Sequence, residues 1–216
     1  MATSFAKLFS AALRGVEALE VEIEVNCAPG DEMKGVMIVG LPDAAVRESR
    51  DRVWTAIWNS GFMTPMGRLT VNLAPADLKK EGAGFDLPIA LGLIAAREDA
   101  PRTMFNEYLI AGELALEGVV RPVRGALPLA LEARRCGRRA IIVPKENAIE
   151  ASVVDGVAVY GVTSLAEAYR HIDGTAPLTA EEFGVCGSHV DIQRSAQTAT
   201  PNHPIHKCLL NKELKI

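Results

Sequence analysis

Two lysines and a carboxylate bracket a glycine-rich turn in the middle of the chain. Lys79 and Lys80 come before the turn, Gly84 lies within it, and Asp86 follows at the predicted start of an apolar helix. Amines and a carboxylate around such a turn could line a groove that binds a peptide or a strand of nucleic acid. The alternative is a solvated loop followed by a helix, because the helix dipole favours a carboxylate near a helix start.

Basic residues cluster in the segment 120–145, although the whole chain carries a net charge of −4. Seven basic residues stand there against one acid, Glu132: Arg121, Arg124, Arg134, Arg135, Arg138, Arg139 and Lys145. If a helix continued past Gly137, arginines spaced four apart would share a face. Such a surface could bind DNA phosphates or an acidic partner domain. The alternative is that a helix C-terminus favours basic residues through its dipole.

The C-terminal segment carries two pairs of potential metal ligands with two residues between the members of each pair. The pairs are Cys186 with His189, and His203 with His206. This spacing suits a tetrahedral zinc site. Prolines crowd the second pair, and the polar residues between the pairs show little periodicity. We therefore expect no metal ion or other cofactor in this chain, and zinc is kept as an alternative.

Several catalytic motifs do not occur in the sequence. No lysine is followed by serine or threonine, so there is no Walker A loop to bind nucleotide phosphates. There is no Gly-x-Ser-x-Gly elbow or His-Glu-x-x-His motif, and His171 is the single histidine before residue 174. The chain has four scattered cysteines and lacks a signal peptide or a run of eighteen apolar residues. These features predict a soluble, reduced, cytoplasmic protein with no membrane partner.

The elements that must position these residues alternate between strands and helices after a β-rich start. Apolar and acidic residues alternate from Leu19 to Val25, which predicts a strand with one wet face. The run from Gly35 to Gly40 predicts a buried strand. The segments 108–111 and 114–120 predict a hairpin or two closely linked strands. Together with four predicted helices, this pattern indicates an α/β or α+β fold with helices packed on a mixed sheet.

Two further expectations concern one helix and the end of the chain. Trp54 and Trp58 are four residues apart, which predicts that both line a packed helix face. The composition becomes polar and aperiodic after Gly174. We therefore expect a domain over residues 1–174 and a linker with a disordered tail over residues 175–216.

Three long blocks of the sequence resemble a known family. They are IVGLPDAAVRESRDRV (38–53), VNLAPADLKKEGAGFDLPIALGLI (71–94) and AGELALEGVVRPVRGALPLALEARRCGRRAIIVPKENAIEA (111–151). Over residues 4–173 the chain resembles the N-terminal domain of the ComM/YifB family of bacterial magnesium-chelatase-like AAA+ proteins. The third block and the Lys80-Glu81-Gly82 turn also resemble the proteolytic domain of Lon. The implied fold is the Lon-protease-like form of the ribosomal protein S5 domain 2-like fold.

The Lon resemblance implies a scaffold that has lost its catalytic dyad. Lon-type peptidases use a serine in the glycine turn and a lysine base in a second turn. The serine position corresponds to Gly84, flanked by Ala83 and Phe85, and the lysine position corresponds to Leu127 or Leu129. Without a nucleophile and its base there is no acyl-enzyme route. We therefore expect no catalytic residue, with Lys79, Lys80, Gly84 and Asp86 lining a groove for a ligand or a neighbouring AAA+ domain.

The family resemblance also implies a biological role. ComM/YifB proteins are implied to be hexameric DNA branch-migration motors that help to integrate transforming DNA. We therefore expect an assembly or DNA-handling domain, a homo-oligomer, and DNA as a possible partner. ATP and Mg²⁺ would belong to an AAA+ module that the sequence does not reach, as in a fragment, a truncated product or a frameshifted gene.

Two alternatives come from other functional classes. The first is a component of an ATP-dependent serine-type peptidase, which would need Ser152 or Thr70 to enter the cleft beside Lys79. The second is a magnesium-chelatase-related protein in tetrapyrrole metabolism, which rests on a family label alone.

Overall fold

The first strands form a long antiparallel hairpin that extends into a four-stranded sheet. The structure is a computed structural model that describes residues 4–28, 35–64, 67–101 and 103–182. The strands of this sheet are β1 (Ser4–Arg14), β2 (Glu17–Ala28), β3 (Val36–Val39) and β4 (Arg68–Ala74). Their order is β1-β2-β4-β3, and β3 pairs with β4 in parallel. The alternation predicted for residues 19–25 is confirmed, because Val21, Ile23 and Val25 are fully buried.

Two helices pack against this sheet and enclose the larger hydrophobic core. Helix α1 (Ala44–Asn59) begins at Asp43, whose carboxylate accepts a hydrogen bond from the Val46 N–H at 2.8 Å. Helix α2 (Asp86–Arg97) follows a short 3₁₀ turn over residues 83–85. It lies so close to the sheet that a Cβ at Gly92 would come within 2.7 Å of Leu8 Cδ1. Glycine at this position therefore permits the tight packing of α2 on β1 and β2.

The second half of the chain builds a smaller parallel sheet around a second core. Its elements are β5 (Tyr108–Ile110), β6 (Glu113–Leu114), β7 (Val120–Arg121), α3 (Ala126–Arg135), β8 (Ala140–Pro144), α4 (Ala148–Ala151), β9 (Ala158–Val162) and α5 (Leu165–Ile172). The parallel sheet has the order β5-β8-β9, while β6 and β7 form a two-stranded antiparallel ribbon. The mixed α/β fold class expected from the sequence is confirmed.

Three local predictions need correction. Of the two arrangements predicted for segments 108–111 and 114–120, the single hairpin is wrong, because β5 pairs with β8 and the Ala111 N–H donates to the Ile142 carbonyl; the structure has closely linked short strands instead. Strand β3 is not buried, since it lies at the sheet edge and leaves Met37 half exposed. Trp54 packs on the core as expected, but Trp58 is 68% exposed beyond the packed face.

The described chain continues past α5 and returns to the domain. The Leu178 N–H donates to His171 Nδ1 at 3.0 Å, and the Glu181 N–H donates to the Val159 carbonyl at 2.7 Å. The described residues belong to one compact unit that extends to Glu182. The linker and tail expected over residues 175–216 stay a prediction, and residues 183–216 lie outside the described part. Among the described residues, we find no helix with the length and apolar character needed to cross a lipid bilayer.

Candidate functional site

A cleft of about 540 Å³ opens between the glycine turn and the loop that leads into α3. A cleft of this size, lined by both apolar side chains and charged groups, is in the range of ligand sites. Its lining consists of Ala11, Leu13, Asp43, Glu81, Gly82, Ala83, Gly84, Phe85, Ala111, Glu113, Pro122, Val123, Arg124 and Leu129. The structure thus brings together the two turns that the Lon resemblance singled out, although they are some forty residues apart in sequence.

Hydrogen bonds fix the glycine turn in place. The Gly82 N–H donates to Asp43 at 3.1 Å, so the residue that caps α1 also holds the start of the turn. The Gly112 N–H donates to the Gly84 carbonyl at 2.9 Å, which ties the turn to the strand connection beneath it. On the opposite wall, a Cβ at Gly84 would lie 3.7 Å from Val123 Cγ1. The two walls are therefore close, and there is room for a small side chain at position 84.

The described part of the cleft lining offers no Ser, Thr or Cys nucleophile and no lysine base. Gly84 and its neighbours Ala83 and Phe85 line one wall, and Leu129 lines the other. Leu127 lies in the first turn of α3, partly exposed, with its N–H donating to Glu150 at 3.0 Å. Among the described residues that line the cleft, none carries a hydroxyl, a thiol or an ammonium group. Acyl transfer of the Ser–Lys type therefore has no attacking oxygen among these described residues.

The two lysines before the turn occupy different environments. Lys79 is exposed and forms an ion pair with Glu81 at 2.5 Å. Lys80 is fully buried, and its Nζ donates to the Pro75 carbonyl. Burial lowers the pKa of Lys80, because the loss of hydration around the ammonium outweighs the attraction of the Asp77 carboxylate. Neither amine lines the cleft, and the interpretation of Lys80 as part of a solvated loop is wrong.

Asp86 is a buried partner of an arginine that the sequence analysis missed. Its carboxylate is fully buried and meets Arg52 in two contacts, at 3.0 Å to Nε and 3.2 Å to Nη2. It also accepts the Leu114 N–H at 3.3 Å. Burial raises the pKa of Asp86 to about 6, since the loss of hydration outweighs the attraction of Arg52. Arg52 lies one turn from the buried Ser49 and Ala56, so helical periodicity was the available signal.

The basic segment is divided among several ion pairs. Helix α3 ends at Arg135, and Gly137 adopts φ +72°, so arginines four apart do not share a helix face across this glycine. Arg138 pairs with Glu20 at 2.8 Å and lies over the Phe9 ring at 3.4 Å. The remaining pairs are Arg135 with Glu132 at 2.5 Å, Arg139 with Glu107 at 2.9 Å, Arg121 with Glu113 at 3.7 Å, and Lys145 with Glu181.

Two arginines of the segment keep their charge uncompensated within the described residues. Arg124 lies at the cleft rim and Arg134 lies on the outer face of α3, both exposed and without an ion pair to any described residue. The electropositive surface expected from the sequence is thus reduced to these two separated side chains. Acidic residues far away in the sequence neutralise most of the others.

The remaining candidate ligands do not converge on the cleft. His171 is buried between Tyr108 and Tyr160 in the second half of the domain, and burial lowers its pKa. No cluster of three or more His, Cys, Asp or Glu side chains suited to a metal ion occurs within residues 4–28, 35–64, 67–101 and 103–182. The zinc alternative at Cys186, His189, His203 and His206 lies outside the described residues.

The chain is similar in sequence to several known proteins over most of its length. The chain is 47% identical to YifB of Escherichia coli over 142 residues, which is 66% of this chain and 28% of that protein. It is 41% identical to the competence protein ComM of Haemophilus influenzae over 175 residues, 81% of this chain and 34% of that protein. A weaker similarity, 22% over 191 residues, extends to Lon protease 2 of Bacillus subtilis and covers 82% of this chain and 33% of that protein.

The chain spans about a third of the length of the curated relatives that it matches. Residues 23–147, which include the glycine turn, the buried Asp86 and the loop into α3, match the family described as subunit ChlI of Mg-chelatase. The chain therefore belongs to the ChlI family of Mg-chelatase subunits, with YifB and ComM among its relatives and a more distant similarity to Lon.

Proposed function

We propose that this chain is a non-peptidase, Lon-like domain that serves assembly, and secondarily DNA handling, in a protein of the ComM/YifB type. The observation that carries the proposal is the composition of the cleft. By the resemblance to Lon, the serine position corresponds to Gly84, and the lysine position corresponds to Leu127 or Leu129. The cleft keeps the size of a ligand site while lacking the atoms that would cut a peptide bond.

The peptidase alternative requires a hydroxyl that the site does not provide. Ser152 lies after α4 and donates its hydroxyl to the Ile149 carbonyl at 3.0 Å, and Thr70 lies within β4. Neither residue lines the cleft, and Lys79 is engaged with Glu81. This arrangement favours binding over hydrolysis.

Nucleotide chemistry is proposed to lie outside this cleft. The turn from Glu81 to Phe85 contains no lysine and no Ser or Thr. The cleft lining carries three carboxylates (Asp43, Glu81 and Glu113) against one guanidinium. Such a lining does not fit nucleotide phosphates, which require cations and free N–H donors. ATP and Mg²⁺ are therefore proposed for other parts of a full-length family member.

DNA handling is the weaker part of the proposal. It rests on the relative ComM, which is named a competence protein, and on the family resemblance that implies DNA branch migration during transformation. The ion pairs of the basic segment leave Arg124 and Arg134 to contact phosphates. Two cations neutralise few phosphates, so assembly is the function that the geometry supports better.

A serine-reactive fluorophosphonate probe and casein cleavage test the proposal directly. We expect the purified chain to bind no probe, to leave casein intact, and to show no affinity for ATP in a calorimetric titration. The Ser152→Ala variant provides the matched control, because it removes the hydroxyl that the peptidase alternative would use. Stoichiometric labelling of the natural chain that disappears in Ser152→Ala would contradict the proposal.

A further inference from the structure

We propose that two copies of this chain associate by inserting the β1–β2 tip of one copy, residues 14–17, into the cleft of the other. The inference rests on the assembly function proposed above and names its surfaces. Each copy carries both surfaces, so reciprocal insertion closes a two-fold dimer, and one-way insertion builds a ring or a chain of copies. In either arrangement the partner that the cleft recognises is a second copy of this chain.

The tip of the β1–β2 hairpin exposes the apolar side chain of Val16, which the turn does not need for its own geometry. Gly15 adopts φ +64°, which supplies the backbone freedom that a two-residue hairpin needs at its first position. The second position normally holds a polar residue, but here it is Val16, whose surface is 92% exposed. Val16 is the most exposed of the large apolar side chains in the described part of the chain. Its burial in a partner would recover the hydrophobic free energy that the isolated chain forgoes.

The tip is held rigidly at its base. Strands β1 and β2 stay paired as far as Arg14 and Glu17, on either side of the turn. Leu13 packs against the second wall of its own cleft, where a Cβ at Gly125 would lie 2.9 Å from Leu13 Cδ2. Little conformational entropy would therefore be lost when a partner receives the tip.

The cleft offers the complementary surface. Its apolar walls, formed by residues such as Ala83, Phe85 and Val123, suit a valine side chain. Its one guanidinium, Arg124, is exposed without an ion pair to a described residue and suits the carboxylate of Glu17. Its carboxylates outnumber this cation and give the lining a negative charge toward Arg14, although Glu81 and Glu113 already pair with Lys79 and Arg121. The tip thus carries the apolar, basic and acidic groups for which the cleft has counterparts. The match between Arg124 and Glu17 favours a second copy of this chain as the occupant of this partly polar cleft.

Sedimentation velocity over a concentration series tests the association. We expect the natural chain to form dimers or larger species, and Val16→Asp to weaken association at least tenfold. Aspartate is a favourable turn residue, so this variant is expected to fold. The matched control is Leu116→Asp, which adds the same charge at another exposed apolar position and should leave association unchanged.

A charge exchange tests the proposed register. Glu17→Arg and Arg124→Glu should each weaken association, and the double variant Glu17→Arg/Arg124→Glu should restore it. Circular dichroism of each variant would establish that it is folded. A natural chain that stays monomeric at every soluble concentration, or a double variant no better than the single ones, would overturn the inference. The fluorophosphonate result is independent of both outcomes, so a failure here is distinguishable from a failure of the proposed non-peptidase function.

Discussion

Two buried charges flank the glycine turn of the cleft, and the fold accommodates them in different ways. Asp86 meets Arg52 through two nitrogens and also accepts the Leu114 N–H. The side-chain ammonium of Lys80, six residues earlier, donates to the Pro75 carbonyl and has no ion pair with a described carboxylate. Both side chains are fully buried. Although the two residues are close in the sequence, the Asp86 carboxylate bonds to a charged group, Arg52, whereas the Lys80 ammonium bonds to a neutral carbonyl.

The difference indicates what each charge does for the cleft. Asp86 joins α1, α2 and β6, so its contacts determine how three elements meet behind the glycine turn. The Lys80 side chain reaches back only to the loop that begins at Pro75. We therefore expect the domain to depend strongly on the Asp86 pair and weakly on the Lys80 ammonium.

Replacing Arg52 by leucine is expected to have the largest effect. The variant leaves the Asp86 carboxylate buried without its cation, which should lower the free energy of unfolding by about 3 kcal/mol. Urea denaturation at neutral pH measures the change. Arg50→Leu is the matched control, because Arg50 is exposed in the same helix and its pair with Asp51 should be worth less than about 1 kcal/mol. Equal losses in the two variants would show that Asp86 does not depend on Arg52.

The second largest expected effect is a loss of stability as Asp86 ionises with rising pH. Its pKa of about 6 in the folded chain lies above the ordinary value for aspartate, so the folded chain binds this proton more tightly than the unfolded chain. The resulting stability is present below about pH 4 and is lost as the pH rises through about 6, up to about 3 kcal/mol. Unfolding midpoints over this range should show a step that is missing in Asp86→Asn. If Asp86→Asn shows the same step in its unfolding midpoints, then a group other than Asp86 causes the step.

Replacing Lys80 by methionine is expected to have a smaller effect. The thioether keeps much of the buried stem and removes an ammonium with a neutral partner, so the free energy of unfolding should change by no more than about 1 kcal/mol. The pKa of Lys80 is lowered, so its stability contribution is present at high pH and is lost as the pH falls through that pKa. The free energy of unfolding of Lys80→Met, relative to that of the natural chain, should therefore increase as the pH decreases. Lys79→Met, at an exposed position, is the control and should show no such gain.

Restoring a hydroxyl to the glycine turn should have the smallest effect. Gly84→Ser should change the free energy of unfolding by less than about 0.5 kcal/mol, because its Cβ meets Val123 at ordinary contact distance. Gly82→Ser is the contrast, since φ +81° at this position should cost about 1–3 kcal/mol. Neither variant should cleave casein, because no amine lies in the cleft to activate a serine. Casein cleavage by Gly84→Ser would show that another group acts as the base.

The local features of the fold followed from the sequence because their causes are local. The alternation of residues 19–25 predicts a strand with one buried face, and the structure has that strand within β2. Asp43 and Ser164 are of the residue types that favour helix caps, and both accept backbone N–H groups at the starts of α1 and α5. Such patterns arise from neighbours only two to four residues apart.

The buried ion pairs did not follow from the sequence because their partners are distant. Arg52 and Asp86 are 34 residues apart, and Arg138 and Glu20 are 118 apart. An arginine in a helix or after a helix C-terminus carries no local mark of its future partner. Charge patterns alone therefore suggested a basic surface in the second half of the chain and a solvated loop before α2.

The sequence by itself determined the side-chain chemistry of the two turns, because the identity of Gly84 and Leu127 fixes which atoms are available wherever those residues lie. Tertiary structure alone decided that the turns face each other across one cleft, that Lys80 and Asp86 are buried, and that most of the arginines are paired. These outcomes depend on contacts between residues far apart in the chain. Burial and pairing in turn determine the charge and the pKa that each side chain presents.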